Sequence, residues 1–347
     1  MKKVVLMTNE YTYNGAGMVL LQLARYLVEV RHWQVSVFSL DSQEGDLKEQ
    51  FREMGVLLPD KVVGNQYDLA VVNIFGNGSA IPLLAPHTKT IFWVHEGAFP
   101  LTTPRMSHKT IQEWFLLAHK IVFDHEFQIN QVFASYLYKI PKEKCRVISP
   151  GIPQGEPLPA PQPRRPGWQR ILFVGGVYAR KRPQDLIQAV ATLQDVQVEC
   201  VLIGWTEYIH TIGQQAQDLL AKQPDRFTVL GNVSRQTLLS YFQASDLFCL
   251  PSQEETFGIS PLEAASHGLP VILSDLPAYE GIWNHGVNCL LYPTGDVTML
   301  AWMIRMLLAE DSLAKRLGQA GKVNTKRYSM AEFYRNWERV LEECDCL

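Results

Sequence analysis

Short apolar runs alternate with stretches of helical periodicity along nearly the whole chain. In the first half, the runs that read as buried strands are KVVLMT, QVSVFSL, DLAVVNI, TIFWV, KIVF and CRVIS. Apolar residues at helical spacing predict helices in MVLLQLARYLVEV and FQINQVFASYLYKI. In the second half, the predicted strands are RILFV, VECVLIG, FTVLG, LFCLP and PVILS, separated by helical stretches such as DLIQAVATL and QTLLSYFQAS. This alternation predicts an α/β protein in which βα units build parallel sheets.

A proline-dense segment, SPGIPQGEPLPAPQPRRPGW, lies between the two halves at residues 149–168. Prolines at this density cannot donate into a sheet and they break helices, which indicates a linker or an exposed extended arm. A chain of 347 residues is also long for one hydrophobic core. We therefore expect one Rossmann-like domain over 1–150, a linker over 151–168 and a second Rossmann-like domain from residue 169. The cleft between two such domains suits a reaction of two substrates.

Composition narrows the class of protein. Hydrophobic residues make up 47% and charged residues 19%, which is typical of a soluble globular protein, and a net charge of -3 gives no electrostatic case for nucleic acid. The six scattered cysteines predict reduced thiols in a cytoplasmic protein. The apolar run after the first two lysines is too short for a signal peptide, and no stretch approaches the ~20 residues that span a bilayer. Peripheral membrane contact stays open through KTIQEWFLLAHK at 109–120, for which a helix packed on the core is the alternative.

Candidate functional groups directly follow predicted strands of the first half. In YNGAGMVLL, Gly15 and Gly17 allow close backbone approach and open a helix whose amino end favours negative charge. The alternative is an ordinary strand-to-helix turn. In FWVHEGA, His95 and Glu96 come directly after an apolar strand. The imidazole there could orient a sugar hydroxyl, accept a proton or cap a turn.

A cluster of cations follows the first strand of the second half. In FVGGVYARKRPQDLI, Arg180, Lys181 and Arg182 precede a helix predicted to begin near Pro183. The amino end of a helix is unfavourable for cations by about 0.3–1 kcal/mol each. The cluster therefore indicates an anion that completes the site, and a diphosphate fits. A solvated basic loop is the alternative.

The stretch EETFGISPLEA places the two carboxylates Glu255 and Glu263 around the segment Phe257–Ile259. A helix is predicted to start at Gly258 and Ile259, and its free N–H groups suit phosphate. Glu255 lies on the loop before this helix, where it can bind sugar hydroxyls, and Glu263 about one turn inside, where it can bind both hydroxyls of a ribose. The spacing suits a ligand with phosphates in the middle and a sugar at each end, which describes a nucleotide sugar.

These motifs resemble those of a known family. VGGVYARKRPQDLI, VLGNVSRQTLLSYFQASDLFCLPSQEETFGISPLEAASHGLPVILSD and GVNCLLYPTGD together resemble the donor-binding half of retaining GT-B glycosyltransferases with the E-x(7)-E motif, the family four group. The first half resembles it more loosely, through its glycine turn, WVHE and KIPKEKCRVISPGIP. The resemblance implies the GT-B fold, two Rossmann-like domains facing each other across a cleft. Residues 1–150 would bind the acceptor, 169–325 the nucleotide sugar, and a helix over 326–347 would cross back to the first domain.

The resemblance also implies a function and a set of roles. It implies transfer of a hexose-type sugar, with retention of configuration, from a nucleotide-diphosphate sugar to a hydroxyl of a glycan, lipid-linked or protein acceptor. It implies no cofactor and no metal, and the chain has no D-x-D motif. A place in polysaccharide biosynthesis at the inner face of the membrane is implied by the family alone. By position, the resemblance implies that Glu255 contacts the donor sugar, Glu263 binds the ribose and Lys181 binds the diphosphate. It implies that the backbone of Phe257, Gly258 and Ile259 contacts sugar and phosphate. In the first half, Gly15 and Gly17 would form the loop that faces the diphosphate, and His95 would lie near the transferring sugar.

One departure from the family pattern keeps other functions open. The family usually has arginine where this chain has Gly176, and Arg180 could reach the same phosphates from further along the loop. Without that arginine, a non-catalytic partner that binds nucleotide sugar is one alternative. A GT-B nucleotide-sugar 2-epimerase is another, whereas no stretch resembles the pyridoxal phosphate site of a phosphorylase. The choice of acceptor is expected to depend on the loops at 41–66 and 97–112.

Overall fold

A computed structural model of the chain describes residues 1–41, 44–97 and 106–346, so part of each predicted acceptor loop lies outside the described residues. The chain divides into two compact units. The first unit comprises Met1–Gly151 together with Met330–Leu347, and the second comprises Ile152–Ser329.

The first unit is built around a six-stranded parallel sheet in the order β2-β1-β3-β4-β5-β6. Its elements are β1 (Lys3–Thr8), α1 (Gly15–Arg25), β2 (Gln34–Ser39), α2 (Lys48–Glu53), β3 (Leu69–Asn73), α3 (Ile81–Leu84), β4 (Lys89–Val94), α4 (His108–Leu117), β5 (Lys120–Phe123), α5 (Ala134–Leu137) and β6 (Cys145–Val147). The strands are buried almost throughout, as expected for a parallel sheet with helices on its faces.

The helix α4 contains the segment that was considered for membrane contact. Its side chains Ile111, Trp114 and Phe115 are buried in the core of the first unit. The apolar face is thus used for packing on the sheet, as in the alternative interpretation. Within the described residues, no helix combines the length and the apolar character needed to cross a membrane.

The second unit is also built around a six-stranded parallel sheet, in the order β12-β11-β10-β7-β8-β9. Its elements are β7 (Gln169–Val174), α6 (Pro183–Thr192), β8 (Val198–Ile203), α7 (Gln214–Lys222), β9 (Phe227–Leu230), α8 (Arg235–Gln243), β10 (Leu247–Leu250), α9 (Ile259–Ser266), β11 (Val271–Ser274), β12 (Leu290–Tyr292), α10 (Val297–Ala309) and α11 (Asp311–Thr325). The strand order reverses between β7 and β10, which are neighbours although 73 residues separate Val174 from Leu247 along the sequence. Ligands of open α/β sheets bind at the carboxyl ends of the strands at such a point.

From residue 152 onward, the proline-rich segment lies in the second unit, without regular helix or strand before β7. It is attached to α8, because the Gln243 side-chain amide donates to the Pro159 carbonyl at 2.6 Å and the Gln162 amide to Ser240 Oγ at 2.9 Å. Residues 152–168 therefore form an arm that lies along one unit, bound to it by hydrogen bonds.

The last helix, α12 (Met330–Glu343), belongs to the first unit. Trp337 is fully buried, and its ring makes an edge contact with Trp93 at a centroid distance of 4.7 Å. Tyr334 stacks on Tyr26 at 4.8 Å. The aromatic face of α12 thus packs against the end of β4.

The structure differs from the predicted elements at two places. All eleven predicted strands are present, and the structure adds β12, which was not predicted. The helix predicted over FQINQVFASYLYKI is a π-helical turn at Gln128–Val132 followed by the short α5. The interruption follows from Gln128, whose buried side chain is used for the neighbouring strand ends described below.

Candidate active site

Two loops meet at the strand reversal of the second sheet. One follows β7 and carries Arg180 and Lys181; the other follows β10 and carries Glu255. The Gln253 amide donates to the Arg180 carbonyl at 3.0 Å, which joins the loops through their backbones. The parallel pairing of β7 with β10 therefore brings together residues that are more than 70 positions apart.

Lys181 and Glu255 form a buried ion pair. Lys181 Nζ lies 2.6 Å from Glu255 Oε1, and the two side chains are 17% and 8% exposed. Ser252 Oγ donates to the same carboxylate oxygen at 2.7 Å. An ammonium group has three donors, so Lys181 can hold Glu255 and still donate to a bound anion.

Arg180 is held against Tyr178, beside Gly176. The guanidinium donates to the Tyr178 hydroxyl at 2.9 Å and lies 5.7 Å from the centre of its ring. A Cβ on Gly176 would lie 2.1 Å from the same ring, so Tyr178 occupies the space that a side chain at 176 would need. Arg180 is thus bonded to the side chain that lies against Gly176.

Arg182, the third cation of the predicted anion site, has a local partner instead. It donates twice to Asp185, at 2.7 and 3.0 Å, across the first turn of α6. Asp185 is a carboxylate in the first turn of a helix, which is favourable for the helix dipole. Arg182 therefore has a charge partner within the second unit, and an anion bound by the cluster stays a prediction.

The amino end of α9 completes this edge of the sheet. Gly258 precedes the helix in the left-handed region, with φ of 80°. Phe257 is a core residue, 3% exposed, with an edge contact to Tyr328. The hydroxyl of Tyr279 is buried next to Gly258 and, over the described residues, has no hydrogen-bond partner. Helix N–H groups and an unpartnered hydroxyl make this end of α9 a favourable place for a ligand oxygen.

Glu263 lies one turn into α9 and pairs with Arg235, the first residue of α8. Arg235 Nη1 is 2.5 Å from Glu263 Oε1, and the same guanidinium binds Glu156 of the proline-rich arm through Nε and Nη2. Burial raises the pKa of Glu263, while the charge and hydrogen bond of Arg235 act to lower it. The two carboxylates of the E-x(7)-E stretch therefore have different partners: a lysine for Glu255 and an arginine for Glu263.

In the first unit, His95 lies within a row of buried polar side chains at the ends of three neighbouring strands. His95 Nδ1 is 2.8 Å from Asp124 Oδ2 after β5, and its Nε2 is 2.6 Å from the Asn73 side chain at the end of β3. Trp93 Nε1 also donates to Asp124, at 3.1 Å. The Asn73 amide can accept from a protonated imidazole or, when turned, donate to a neutral one. Both ring nitrogens thus have partners inside the first unit.

Glu96, next to His95, supports the backbone. Its carboxylate accepts the Phe75 N–H with both oxygens at 2.8 Å and the His95 N–H at 3.0 Å, and burial raises its pKa. Ile74, just before Phe75, has φ of 75°, a conformation that costs a β-branched residue about 1–3 kcal/mol. Gln128 binds the same region, donating to the carbonyls of Val94 and Glu96. Glu96 thus holds the strained turn at Ile74 through the Phe75 N–H, and Gln128 holds the backbone on either side of His95.

Gly15 and Gly17 lie at the start of α1, after β1. Asn14 caps this helix by accepting the Gly17 N–H at 2.8 Å. Gly15 is exposed and Gly17 is buried. Both glycines lie at the carboxyl edge of the sheet that also carries His95.

Several site residues were not found from the sequence. Asp124 and Asn73 directly end or follow predicted strands, so the rule that singled out His95 could have found them. Ser252 lies two residues after β10, so the same rule could have found it as well. Arg235 and Glu156 carry no such signal, because the contacts of Arg235 with Glu156 and Glu263 span 79 and 28 residues. Over the described part of the chain, no group of three or more His, Cys, Asp or Glu side chains is arranged to hold a metal.

Comparison with a solved structure identifies the fold. Over 99% of its length, the chain superimposes on Anabaena HepE, solved in complex with UDP, with a TM-score of 0.80, 16% identity and coverage of 100% of that chain. This likeness confirms the predicted fold class, an α/β GT-B protein with two Rossmann-like domains. Residues 158–324 match the family model for glycosyl transferases group 1.

Each of two curated relatives matches about half of the chain. A D-inositol 3-phosphate glycosyltransferase of Xylanimonas cellulosilytica is 30% identical over 165 residues, which is 47% of this chain and 39% of that protein. A phosphatidyl-myo-inositol mannosyltransferase of Mycobacterium leprae is 33% identical over 178 residues, 50% of this chain and 46% of that protein. The matched stretch thus spans less than half the length of either relative.

The glycine before α9 provides a test of the local geometry. We expect Gly258→Ala to lower the free energy of unfolding by about 2 kcal/mol, because alanine is strained at this φ and its Cβ would lie 3.0 Å from the Tyr279 ring. Gly268→Ala is the matched control, since Gly268 has φ of 83° with no atom within 4 Å of the added Cβ. It should lose only about 1 kcal/mol. Equal losses in urea denaturation would show that Tyr279 does not confine this position.

Proposed function

We propose that the chain is a retaining glycosyltransferase that moves a hexose-type sugar from a nucleotide-diphosphate sugar to a hydroxyl of a glycan, lipid-linked or protein acceptor, without a metal ion. The observation that carries the proposal is the Lys181–Glu255 pair at the amino end of α9, with Glu263 one turn further along the same helix. A cation, a helix amino end and two separate carboxylates together match the parts of a nucleotide sugar.

The donor is divided among these groups by their chemistry. Lys181 and the N–H groups at the start of α9 bind the diphosphate, since both favour negative charge. Glu255 binds the donor sugar, because its charged oxygens accept hydrogen bonds from the sugar hydroxyls. Glu263 binds the ribose, because it lies one helical turn away from the phosphate-binding end of α9. The roles proposed for Gly15, Gly17 and His95 of the first unit stay predictions from the resemblance.

In the reaction, the bond between the anomeric carbon and the diphosphate oxygen breaks, and the acceptor oxygen bonds to the same face of that carbon. The acceptor proton passes to the departing phosphate oxygen. Lys181 and Arg180 stabilise the charge that develops on the diphosphate, which is an electrostatic solution that needs no metal. Glu255 lies among the sugar hydroxyls in this arrangement, so it positions the donor and is not a covalent nucleophile.

The relatives support the same class of reaction. The names of the two curated relatives are those of a glycosyltransferase and a mannosyltransferase, and the HepE structure contains UDP. On this basis we propose that this chain also uses a nucleotide-sugar donor. The acceptor is left at the level of a hydroxyl compound.

A second candidate, a non-catalytic protein that binds nucleotide sugar, is favoured by Gly176 in place of arginine. The contact of Arg180 with Tyr178 argues for catalysis, because it supplies a guanidinium beside the position where the arginine is missing. Turnover separates the two candidates, since only the enzyme releases nucleotide diphosphate when an acceptor is present. A 2-epimerase would convert the donor without an acceptor.

A panel of UDP- and GDP-sugars in excess EDTA tests the proposal. A donor at about 100 times its Kd stabilises the protein by ~2.7 kcal/mol, so one or a few of the sugars should raise the Tm by several degrees. The same donors should then release nucleotide diphosphate in EDTA when an acceptor extract is added. Activity that is lost in EDTA and restored by manganese would contradict the metal-free electrostatic account. Stabilisation with no turnover would favour the non-catalytic protein.

A further inference from the structure

The proline-rich arm brings a carboxylate to the helix that carries Glu263. Glu156 lies on this arm and binds Arg235 through two of the guanidinium nitrogens, one of them, Nε, at 3.1 Å. The remaining nitrogen, Nη1, binds Glu263 Oε1 at 2.5 Å. One planar guanidinium therefore joins two carboxylates that are 107 residues apart along the chain.

This arrangement limits the positions open to Glu263. A guanidinium is planar and its donors form a rigid fork, so two bonds to Glu156 fix the plane of Arg235 and the direction of its third bond. That bond occupies Oε1 of Glu263. The carboxylate can then offer a ligand Oε2 and the remaining lone pair of Oε1, in one orientation.

The position of Arg235 is unfavourable on its own. It is the first residue of α8, where the helix dipole repels a cation, and Ser234 already caps the helix by accepting the Thr237 N–H. Arg235 is stable there because two carboxylates surround it. All three side chains are partly buried, with exposures of 32% for Arg235, 27% for Glu156 and 14% for Glu263.

We propose that Glu156, acting through Arg235, positions the Glu263 carboxylate for the two adjacent hydroxyls of a ribose and so selects ribonucleotides over 2′-deoxyribonucleotides. This inference rests on the proposed function, in which Glu263 binds the ribose. Glu156 is a positioning residue, because its contact is with Arg235. Two hydroxyls that donate to one carboxylate require a fixed orientation, whereas a single remaining hydroxyl can follow a carboxylate that turns.

Titration calorimetry with UDP, dUDP, GDP and dGDP tests the inference. Wild type should bind the ribonucleotide of its preferred base about tenfold more tightly than the deoxy form, as expected for a hydrogen bond to a charged group. Glu156→Gln should lower this ratio by about threefold or more, with the Kd of the deoxynucleotide nearly unchanged. The control is Asp225→Asn, which removes the exposed pair with Arg165 of the same arm and should leave the ratio as in wild type.

The other outcomes decide against the inference. If Glu156→Gln weakens both nucleotides equally, Glu156 only anchors the arm, and an unchanged ratio has the same consequence. If wild type prefers the ribonucleotide and the variants keep the same ratio of affinities, the proposed function stands, but Glu156 does not position Glu263. If wild type binds none of the four nucleotides, both proposals fall. Should Glu156→Gln not fold, Arg235→Lys carries the same test, because an ammonium lacks the rigid planar fork that fixes the direction of the bond to Glu263.

Discussion

Glu255→Gln should lower turnover by about 100-fold or more while leaving the affinity for nucleotide diphosphate nearly unchanged. The reason is that Glu255 binds the sugar, which free nucleotide diphosphate lacks, through a hydrogen bond that strengthens in the transition state. Glu263→Gln should instead weaken nucleotide and nucleotide sugar alike, because both contain the ribose. Titration of nucleotide diphosphate and steady-state rates on both variants measure the difference.

The matched control for this pair is Glu199→Gln. Glu199 is a carboxylate of the same unit, 15% exposed and paired with Arg170 at 2.7 Å, away from the two loops of the site. Its loss should affect stability and leave turnover per folded molecule unchanged. Equal losses of nucleotide affinity in Glu255→Gln and Glu263→Gln would show that the two roles are wrongly assigned. Full activity in both would remove the case for an active site at the end of α9.

Lys181→Met should abolish the discrimination between nucleoside diphosphate and monophosphate. The ammonium is expected to bind the diphosphate and to stabilise the leaving group, so turnover should fall by about 100-fold or more. The substitution also leaves Glu255 buried without its cation, which destabilises the fold by about 3 kcal/mol. Calorimetry with UDP and UMP, or GDP and GMP, measures the first effect, and urea denaturation measures the second.

Two variants separate these effects. Lys222→Met removes an exposed lysine of the same unit, 74% exposed and 3.6 Å from Asp218, and should change neither binding nor stability by more than about 0.5 kcal/mol. The double variant Lys181→Met with Glu255→Gln removes both charges and should recover part of the lost stability. A loss of stability in the double variant equal to the sum of the two single losses would mean that the pair does not couple. Undiminished diphosphate affinity in Lys181→Met would contradict its proposed role.

The alternation of apolar runs and helical stretches was enough to predict two α/β units, because buried parallel strands and amphipathic helices have distinct periods. The start of α9 at Ile259 and the position of Glu263 inside it were also readable, since a glycine followed by a helical pattern is a local signal. His95 was singled out because it directly follows a buried strand, and β4 does end at Val94. In each case the signal is contained within about ten residues.

Tertiary structure decided the contacts between distant segments. The order of strands brings Asn73, His95 and Asp124 to one edge, and the reversal between β7 and β10 pairs Lys181 with Glu255. The interrupted helix at Gln128 follows from bonds to two other strands, which no helical pattern records.

The clearest case is Arg235, whose partners Glu156 and Glu263 lie 79 and 28 residues away. Local periodicity determines where a helix or strand forms, and the sequence by itself therefore determined the elements and the class of fold. Which charged groups meet depends on how those elements pack. That information resides in the strand order and in the course of the proline-rich arm, and only the tertiary structure determined it.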